Sequence, residues 1–224
     1  MTIRHTLQAT VLAASIAFGS AALPAAASAA PTANTSAGSA ASSAGIGADG
    51  LAGYAKAAVD AWVQYTQSGS ADDLAQFGSI RDSVAAEAAN RLGLDASGMQ
   101  AAWRNADFDH QIAVLSALTQ LGTRYRFAAR SPGVAFDCSG LSSWSWAQVG
   151  VTLARQSRAQ ISNATPVTRD DAQPGDLVYY PGHLMMSLGV DNAIIHAPFT
   201  GRNIELGFVS KNRAKSARFG DPTG

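Results

Sequence analysis

The only cysteine of this 224-residue chain, Cys138, stands where a helix is expected to begin. The residues that follow it have helical spacing, Asp137 is a good N-cap type, and Gly150 is a natural helix stop. In the first turn, free N–H groups and the helix dipole favour an anion, so we expect a lowered thiol pKa and a reactive nucleophile. The alternative is a small buried hydrophobic residue, as most free cysteines are.

The first 29 residues have the pattern of a secretory signal peptide. Arg4 and His5 precede an apolar run, and Ala27–Ala29 forms a small-residue cleavage site. An uncleaved membrane anchor is the alternative, although the run is short and ends at Pro24. We predict a secreted protein without stable membrane insertion. Because exported proteins normally pair their cysteines, a single thiol there suggests a catalytic role.

Three further segments follow the predicted signal peptide. Residues 30–50 consist almost wholly of Ala, Ser, Thr and Gly and are predicted to form a flexible linker. Residues 51–110 show helical periodicity, with a hairpin of two helices, a short helix around Met99–Arg104, and a fourth helix that begins near Asp107 and ends by Gly122. Residues 111–224 are predicted to form the functional domain.

After the Cys138 helix, the apolar pattern changes from helical to alternating. Pro174, Gly175 and Asp176 form a turn signal, and strands are predicted after it. Helices that precede an antiparallel sheet define the α+β class. The predicted strands cover residues 177–180, 183–188, 193–197, 203–208 and, at a basic edge of the sheet, 211–219.

Two histidines on neighbouring predicted strands, His183 and His196, could serve a cysteine nucleophile as base and orienting group. Their register depends on the turn between the strands. A turn at Gly189–Val190 places them directly opposite each other, whereas a turn at Asp191–Asn192 offsets them by four residues, or roughly 13 Å. We expect the first register.

Other chemistries find less support in the sequence. Two histidines and one cysteine lack the close ligand spacing of zinc sites, and there is no phosphate-binding loop or Gly-x-Ser-x-Gly motif, so no metal or cofactor is predicted. Residues 111–224 carry eleven basic and seven acidic side chains, which suits an acidic polymer. Basic residues are not interleaved with aromatic ones, so nucleic acid is not an expected partner.

Four motifs follow one another in the chain: Phe136–Leu141, Pro174–Val178, His183 with Leu188–Gly189, and Ile195–Pro198. Together they resemble the NlpC-type cysteine peptidases of bacterial cell walls. They agree in order and spacing over about residues 112–208. The resemblance implies a papain-like α+β fold in which the nucleophile helix packs on an antiparallel sheet.

The resemblance also assigns roles to individual residues. Cys138 would be the nucleophile, His183 the general base and acid, and His196 the orienting third member. Tyr125 corresponds to a family tyrosine near the nucleophile. Asp137 and Ser139 flank the thiol where the family contacts a free amine of the substrate, and for Asp137 this role competes with that of helix cap.

This chain departs from the family at several positions. The family usually has Gly-x-Pro-Tyr and then paired glycines before the cysteine, where this chain has Gly122–Tyr125 and Ala128–Ala129. The family's Leu-Pro-Arg is Leu153–Arg155 here, with alanine in place of proline, and Ser187 takes a position that is often aromatic. Each of the three catalytic positions is nevertheless occupied.

The function implied is that of a monomeric, cell-wall-associated enzyme that hydrolyses peptidoglycan stem peptides, usually between D-glutamate and a diamino acid. Two alternatives remain, a thiol amidase or acyltransferase on the same fold and a non-catalytic wall-binding module. The helical segment 51–110 could simply pack against the domain, cover the active site as a pro-segment, or bind the wall.

Overall fold

The computed structural model describes residues 49–224. The predictions for residues 1–48, the signal peptide and most of the linker, lie outside the described residues. Within the described part of the chain, no helix is long and apolar enough to cross a membrane. The helices are α1 (Gly50–Ser68), α2 (Ala71–Leu92), α3 (Ala96–Asn105), α4 (Phe108–Leu118), α5 (Cys138–Ala147), α6 (Ser157–Asn163) and α7 (Lys211–Ala214). The strands are β1 (Arg124–Tyr125), β2 (Arg130–Ser131), β3 (Ala135–Phe136), β4 (Thr165–Val167), β5 (Pro174–Tyr180), β6 (His183–Leu188), β7 (Ala193–His196), β8 (Glu205–Phe208) and β9 (Arg218–Asp221).

Local capping signals determine the limits of the first helices. The side chains of Asp49, Ser70 and Asp95 accept hydrogen bonds from N–H groups in the first turns of α1, α2 and α3. Gly69 and Gly93 end α1 and α2 in the left-handed conformation that glycine adopts without strain. The helical prediction for this segment is therefore confirmed.

A six-stranded antiparallel sheet follows, with the strand order β4-β9-β5-β6-β7-β8. A small three-stranded sheet, β1-β3-β2, lies next to α5 in the chain. On β6, Leu184, Met186 and Leu188 belong to the large core shared with the helices, whereas Met185 belongs to a second core that includes Val178. The predicted alternation is thus present, but both faces of β6 are buried. The α+β class is confirmed.

The prediction of one edge strand over residues 211–219 is wrong. Lys211–Ala214 forms α7, and the strand that follows, Arg218–Asp221, lies inside the sheet between β4 and β5. Phe219 pairs with Val167 on one side and with Val178 on the other. Insertion beside a central strand gives both edges of β9 a hydrogen-bonding partner, which a local sequence pattern does not reveal.

The helical segment shares one hydrophobic core with the rest of the described chain. The indole of Trp103 in α3 is fully buried, and its Nε1 donates a 3.0 Å hydrogen bond to the carbonyl of Leu188 at the end of β6. The boundary predicted between residues 110 and 111 falls inside α4. These contacts favour the interpretation that segment 51–110 packs against the domain, and the division of the chain into domains stays a prediction.

A buried ionic cluster joins α4 to the sheet. His110 is 1% exposed, and its Nε2 lies 3.0 Å from Asp176 Oδ1 in β5 and 3.3 Å from Asp221 Oδ1 in β9. Burial by itself lowers the pKa of His110, but the hydrogen bond and charge of Asp176, with the charges of Asp221 and Asp107, raise it above its ordinary value. The protonated imidazole therefore stabilises the folded state.

This cluster predicts how stability depends on pH. Because the pKa of His110 is higher in the folded than in the unfolded chain, its contribution is complete below the ordinary histidine pKa of about 6.5. The contribution is lost as pH rises through the raised folded pKa. We expect the melting temperature to fall over that range in wild type and to depend less on pH in His110→Gln, as measured by circular dichroism. An equal pH dependence in both proteins would contradict the assignment.

Candidate active site

The thiol of Cys138 lies in the first turn of α5, as predicted. Asp137 is the N-cap residue, and its side chain accepts a 2.6 Å hydrogen bond from the N–H of Gly140. This bond satisfies one of the free donors of the first turn and determines where the helix begins. The cap role of Asp137 is therefore present in the structure.

The two histidines lie on adjacent antiparallel strands, but the expected register is wrong. Ser187 pairs with Ile194, so His196 is two residues from the position directly opposite His183. The turn uses Asp191 and Asn192, whose φ angles are 48° and 60°.

The reason lies in an irregularity next to the turn. Two additional residues on the β6 side, Leu188 and Gly189, stand between the turn and the ladder. Gly189 has a φ of 79°, which glycine adopts without strain. This insertion moves the strands from an offset of four residues to an offset of two.

An offset of two residues still brings the imidazoles together. Side chains two residues apart lie on the same face of a strand, and diagonal neighbours are within reach of long side chains. The Nε2 of His183 lies 2.7 Å from the Nδ1 of His196, which is hydrogen-bonding distance. The structure thus forms the histidine pair that the sequence predicted, by a different register.

The start of α5 meets the start of β6. The thiol of Cys138 is contacted by the backbone N–H of Leu184, the residue after His183, and by the N–H groups of Ser139 and Cys138 itself. The thiol of Cys138 therefore lies against the backbone at the start of β6, next in the chain to His183.

The expected lowering of the thiol pKa is contradicted. Burial raises the pKa of Cys138, and the nearby charge of Asp137 raises it further, while the three backbone N–H groups lower it by less. Burial, with the neighbouring His196, lowers the pKa of His183 to about 4. Burial also lowers the pKa of His196, although the charge of Glu205 opposes this effect. These directions favour a neutral thiol beside a neutral imidazole in the free protein.

We therefore expect the alkylation of Cys138 by iodoacetamide to accelerate continuously as pH rises toward the raised thiol pKa. The thiolate is the reactive species, and the neutral pair contains little of it at neutral pH. The measurement is the rate of mass increase in the intact protein, with Cys138→Ala as the blank. A plateau of constant rate between about pH 5 and 8 would instead indicate a stable thiolate–imidazolium pair.

A cavity of about 420 Å³ opens beside the thiol. It is lined by Cys138 together with the three residues that were predicted to bind substrate, Tyr125, Asp137 and Ser139. Burial and the charges of Cys138 and Asp137 raise the pKa of the Tyr125 hydroxyl. Among the described residues, none from the helical segment 51–110 lines this cavity.

Arg155 engages the carboxylate of Asp137 through both of its terminal nitrogens. The distances are 3.0 Å from Nη1 to Oδ1 and 2.7 Å from Nη2 to Oδ2, and Nη1 also lies 3.0 Å from the hydroxyl of Ser139. Because Asp137 is 6% exposed, this pairing compensates for the burial of its charge. Arg158 lines the cavity as well, so its wall carries one carboxylate and two guanidinium groups.

Sequence reasoning did not assign three residues around the site. Arg155 was visible as the last residue of Leu153–Arg155, but its partner was not. Phe127 is 81% exposed at the cavity, and no periodic pattern distinguishes it. Glu205 stands directly opposite His196 on β8, which only the pairing of β7 with β8 reveals.

A cysteine at a helix start, packed against an antiparallel sheet that carries a histidine pair, defines a papain-like α+β domain. The model of the NlpC/P60 family matches residues 122–220, and this part of the chain belongs to that family. The match includes all six residues that the sequence singled out for the site.

Proteins of several bacteria are similar to this chain. A probable endopeptidase of Corynebacterium glutamicum strain R is 40% identical over 118 residues, which are 51% of this chain and 55% of that protein. A probable endopeptidase of Mycobacterium tuberculosis strain H37Rv is 38% identical over 96 residues, or 42% of this chain and 24% of that protein. The matched segment thus spans about half, or less, of these relatives. The crystal structure of the P60 domain from a Mycobacterium avium subspecies paratuberculosis antigen covers 52% of this chain and 96% of its own, with 23% identity and a TM-score of 0.46.

Proposed function

We propose that this chain is a secreted cysteine peptidase that hydrolyses the stem peptides of bacterial peptidoglycan. Two observations support the proposal: the thiol of Cys138 lies at an open cavity and against the backbone N–H of Leu184, and the neighbouring His183 is hydrogen-bonded to His196. Membership of the NlpC/P60 family and relatives named probable endopeptidases support a peptide-bond hydrolase.

The proposed reaction follows from the groups at the site. The sulfur of Cys138 attacks the scissile carbonyl carbon while its proton passes to His183. The backbone N–H groups at the start of α5 stabilise the oxyanion that forms. His183 then protonates the leaving amine, and water hydrolyses the acyl-enzyme and returns the proton to sulfur. His196 orients His183 throughout.

The neutral resting pair is compatible with this sequence of steps. An imidazole with a low pKa in the free protein is unprotonated at neutral pH and can accept the thiol proton. The charge separation that follows is stabilised by the same N–H groups that contact the sulfur. Proton transfer and attack would thus accompany substrate binding.

The cavity wall suits a peptide that carries carboxylates. One carboxylate and two guanidinium groups line it, and the carboxylate of Asp137 is already paired with Arg155. Stem peptides contain free carboxyl groups, which guanidinium groups bind well. We propose that Tyr125, Asp137 and Ser139 contact the substrate, with Asp137 and Ser139 placed where its free amine binds.

The proposal is tested with purified peptidoglycan. The protein without its predicted signal peptide is incubated with peptidoglycan, and the soluble fragments are identified by mass spectrometry. Peptides with a new N-terminal diamino acid are expected. Products cut at a sugar–peptide amide would show an amidase instead, and binding to the wall without fragment release would show a binding module.

A further inference from the structure

The distance between the two imidazoles does not determine which of them donates the hydrogen bond. His183 Nε2 and His196 Nδ1 lie 2.7 Å apart, so one nitrogen donates a proton and the other accepts it. If His183 donates from Nε2, its Nδ1 is unprotonated and free to accept the proton of Cys138. If His196 donates from Nδ1, then neutral His183 carries its own proton on Nδ1 and offers the thiol no acceptor.

A carboxylate lies on the far side of His196. Glu205 stands directly opposite His196 across the β7–β8 ladder, and its Oε1 is 3.6 Å from His196 Nε2. This distance exceeds that of a direct hydrogen bond, but a negative charge so close to Nε2 favours a proton on that nitrogen. A proton on Nε2 leaves Nδ1 as the acceptor that His183 requires.

Glu205 also forms an ion pair with a neighbouring residue. The Nη2 of Arg202 lies 2.5 and 2.6 Å from the two carboxylate oxygens, and the Arg202 guanidinium is 5.6 Å from the ring of Phe199. The carbonyl of Arg202 accepts a 2.9 Å hydrogen bond from the N–H of Tyr125, which lines the cavity. The backbone that carries this ion pair is therefore tied to the site.

We propose that Glu205 is a positioning residue that holds the proton of His196 on Nε2 and thereby leaves Nδ1 of His183 free to accept the proton of Cys138. The role rests on the proposed function, since it prepares His183 to act as the base. When Cys138 reacts, its proton moves to His183 Nδ1, and the proton on His183 Nε2 stays in the bond to His196. Glu205 exchanges no proton in this step and acts only through His196.

If Glu205 only stabilised the fold, its replacement would have different effects from those that the proposed positioning role predicts. Glu205 and Arg202 are three residues apart and partly exposed, and such pairs contribute little to stability. If stability were their only role, removing either partner would have the same small effect. The proposed role predicts unequal effects, because only Glu205 carries the charge that faces His196.

The test measures the tautomers directly. Full-length protein with ¹⁵N-labelled imidazoles is studied by NMR near pH 7, with His183→Gln and His196→Gln used to assign the signals. In wild type we expect both His183 and His196 to carry the proton on Nε2. In Glu205→Gln we expect a mixture in which Nδ1–H forms of both rings appear. In the matched control Arg202→Gln, which keeps the carboxylate, the wild-type tautomers are expected.

A second readout follows the thiol. At a pH of about 8, the alkylation rate of Cys138 is expected to fall about tenfold in Glu205→Gln, the factor equivalent to one pKa unit, and to stay near wild type in Arg202→Gln. Wild-type tautomers in Glu205→Gln, or equal changes in both variants, would overturn the proposal. Neither readout uses peptidoglycan. If wild type releases no fragments but the variants show this pattern, the proposed substrate is refuted and the role of Glu205 stands. If wild type releases fragments but the variants do not show this pattern, the role of Glu205 is refuted and the proposed substrate stands.

Discussion

The variant Cys138→Ala is expected to release no detectable peptides from peptidoglycan, a loss of at least about 10⁴-fold. The proposed covalent intermediate forms on the sulfur of Cys138, and the chain contains no second cysteine to replace it. The folded state should change little because the side chain is small and only partly buried. Fragment release is measured by mass spectrometry and stability by thermal unfolding.

Two further variants separate the chemistry of the thiol from its shape. Cys138→Ser keeps nearly the same shape but cannot supply a thiolate, so it should be as inactive as alanine. Ser145→Ala is the matched control, because it makes a similar truncation in α5 at a buried hydroxyl that has no hydrogen-bond partner among the described residues. It should keep full activity. Fragment release by Cys138→Ala at the wild-type rate would refute the proposed nucleophile.

Among the variants described, Gly140→Ala is expected to lose the most stability. A Cβ at this position would lie 2.1 Å from the carbonyl oxygen of Ala129 and 2.9 Å from Oδ1 of Asp137. That carbonyl cannot move away without a cost in free energy, because it accepts a 3.0 Å hydrogen bond from the N–H of Asp137. We expect the free energy of unfolding to fall by about 3 kcal/mol, and the melting temperature by roughly 6 to 12 °C.

The matched control for this change is Gly53→Ala. Gly53 also lies within a helix, but a Cβ there would meet no atom within 4 Å. Alanine should stabilise α1 by about 0.5 to 1 kcal/mol, because it restricts the unfolded chain and favours the helix. If Gly140→Ala were as stable as wild type, the close approach of Ala129 to α5 would be wrong.

Close packing at Gly140 also links stability to the site. The Ala129 carbonyl and the Asp137 carboxylate, which a Cβ would displace, flank the turn that carries Cys138. The same substitution should therefore lower the rate of fragment release as well as the melting temperature. In Gly53→Ala, fragment release should be unchanged.

Much of the site could be predicted because its signals are local. Asp137, next to Cys138, predicts where a helix begins, because helix capping depends on residues that are three positions apart. The alternating pattern of residues 183–188 places His183 on a strand, and the same pattern holds for β7. His183 and His196 are an odd number of positions apart, so any even offset between β6 and β7 leaves both side chains on the same face of the sheet. The histidine pair therefore forms although the predicted register was wrong.

The state of the thiol could not be predicted from local signals. The helix start does direct N–H groups at Cys138, as expected, but burial raises the thiol pKa by more than those groups lower it. The amount of water removed from a side chain depends on segments far along the chain. The same is true of the pairing between Asp137 and Arg155, which are eighteen positions apart.

The sequence by itself determined the class of fold, the helix that carries Cys138, and the strands that carry His183 and His196. These follow from capping, periodicity and turn chemistry, which act over a few residues. Only the tertiary structure decided the register of β6 and β7, the insertion of β9 beside β5, the raised pKa of the thiol, and the placement of Glu205 behind His196. Those features depend on burial and on hydrogen bonds between distant segments, whose free energies exist only once the whole chain has packed.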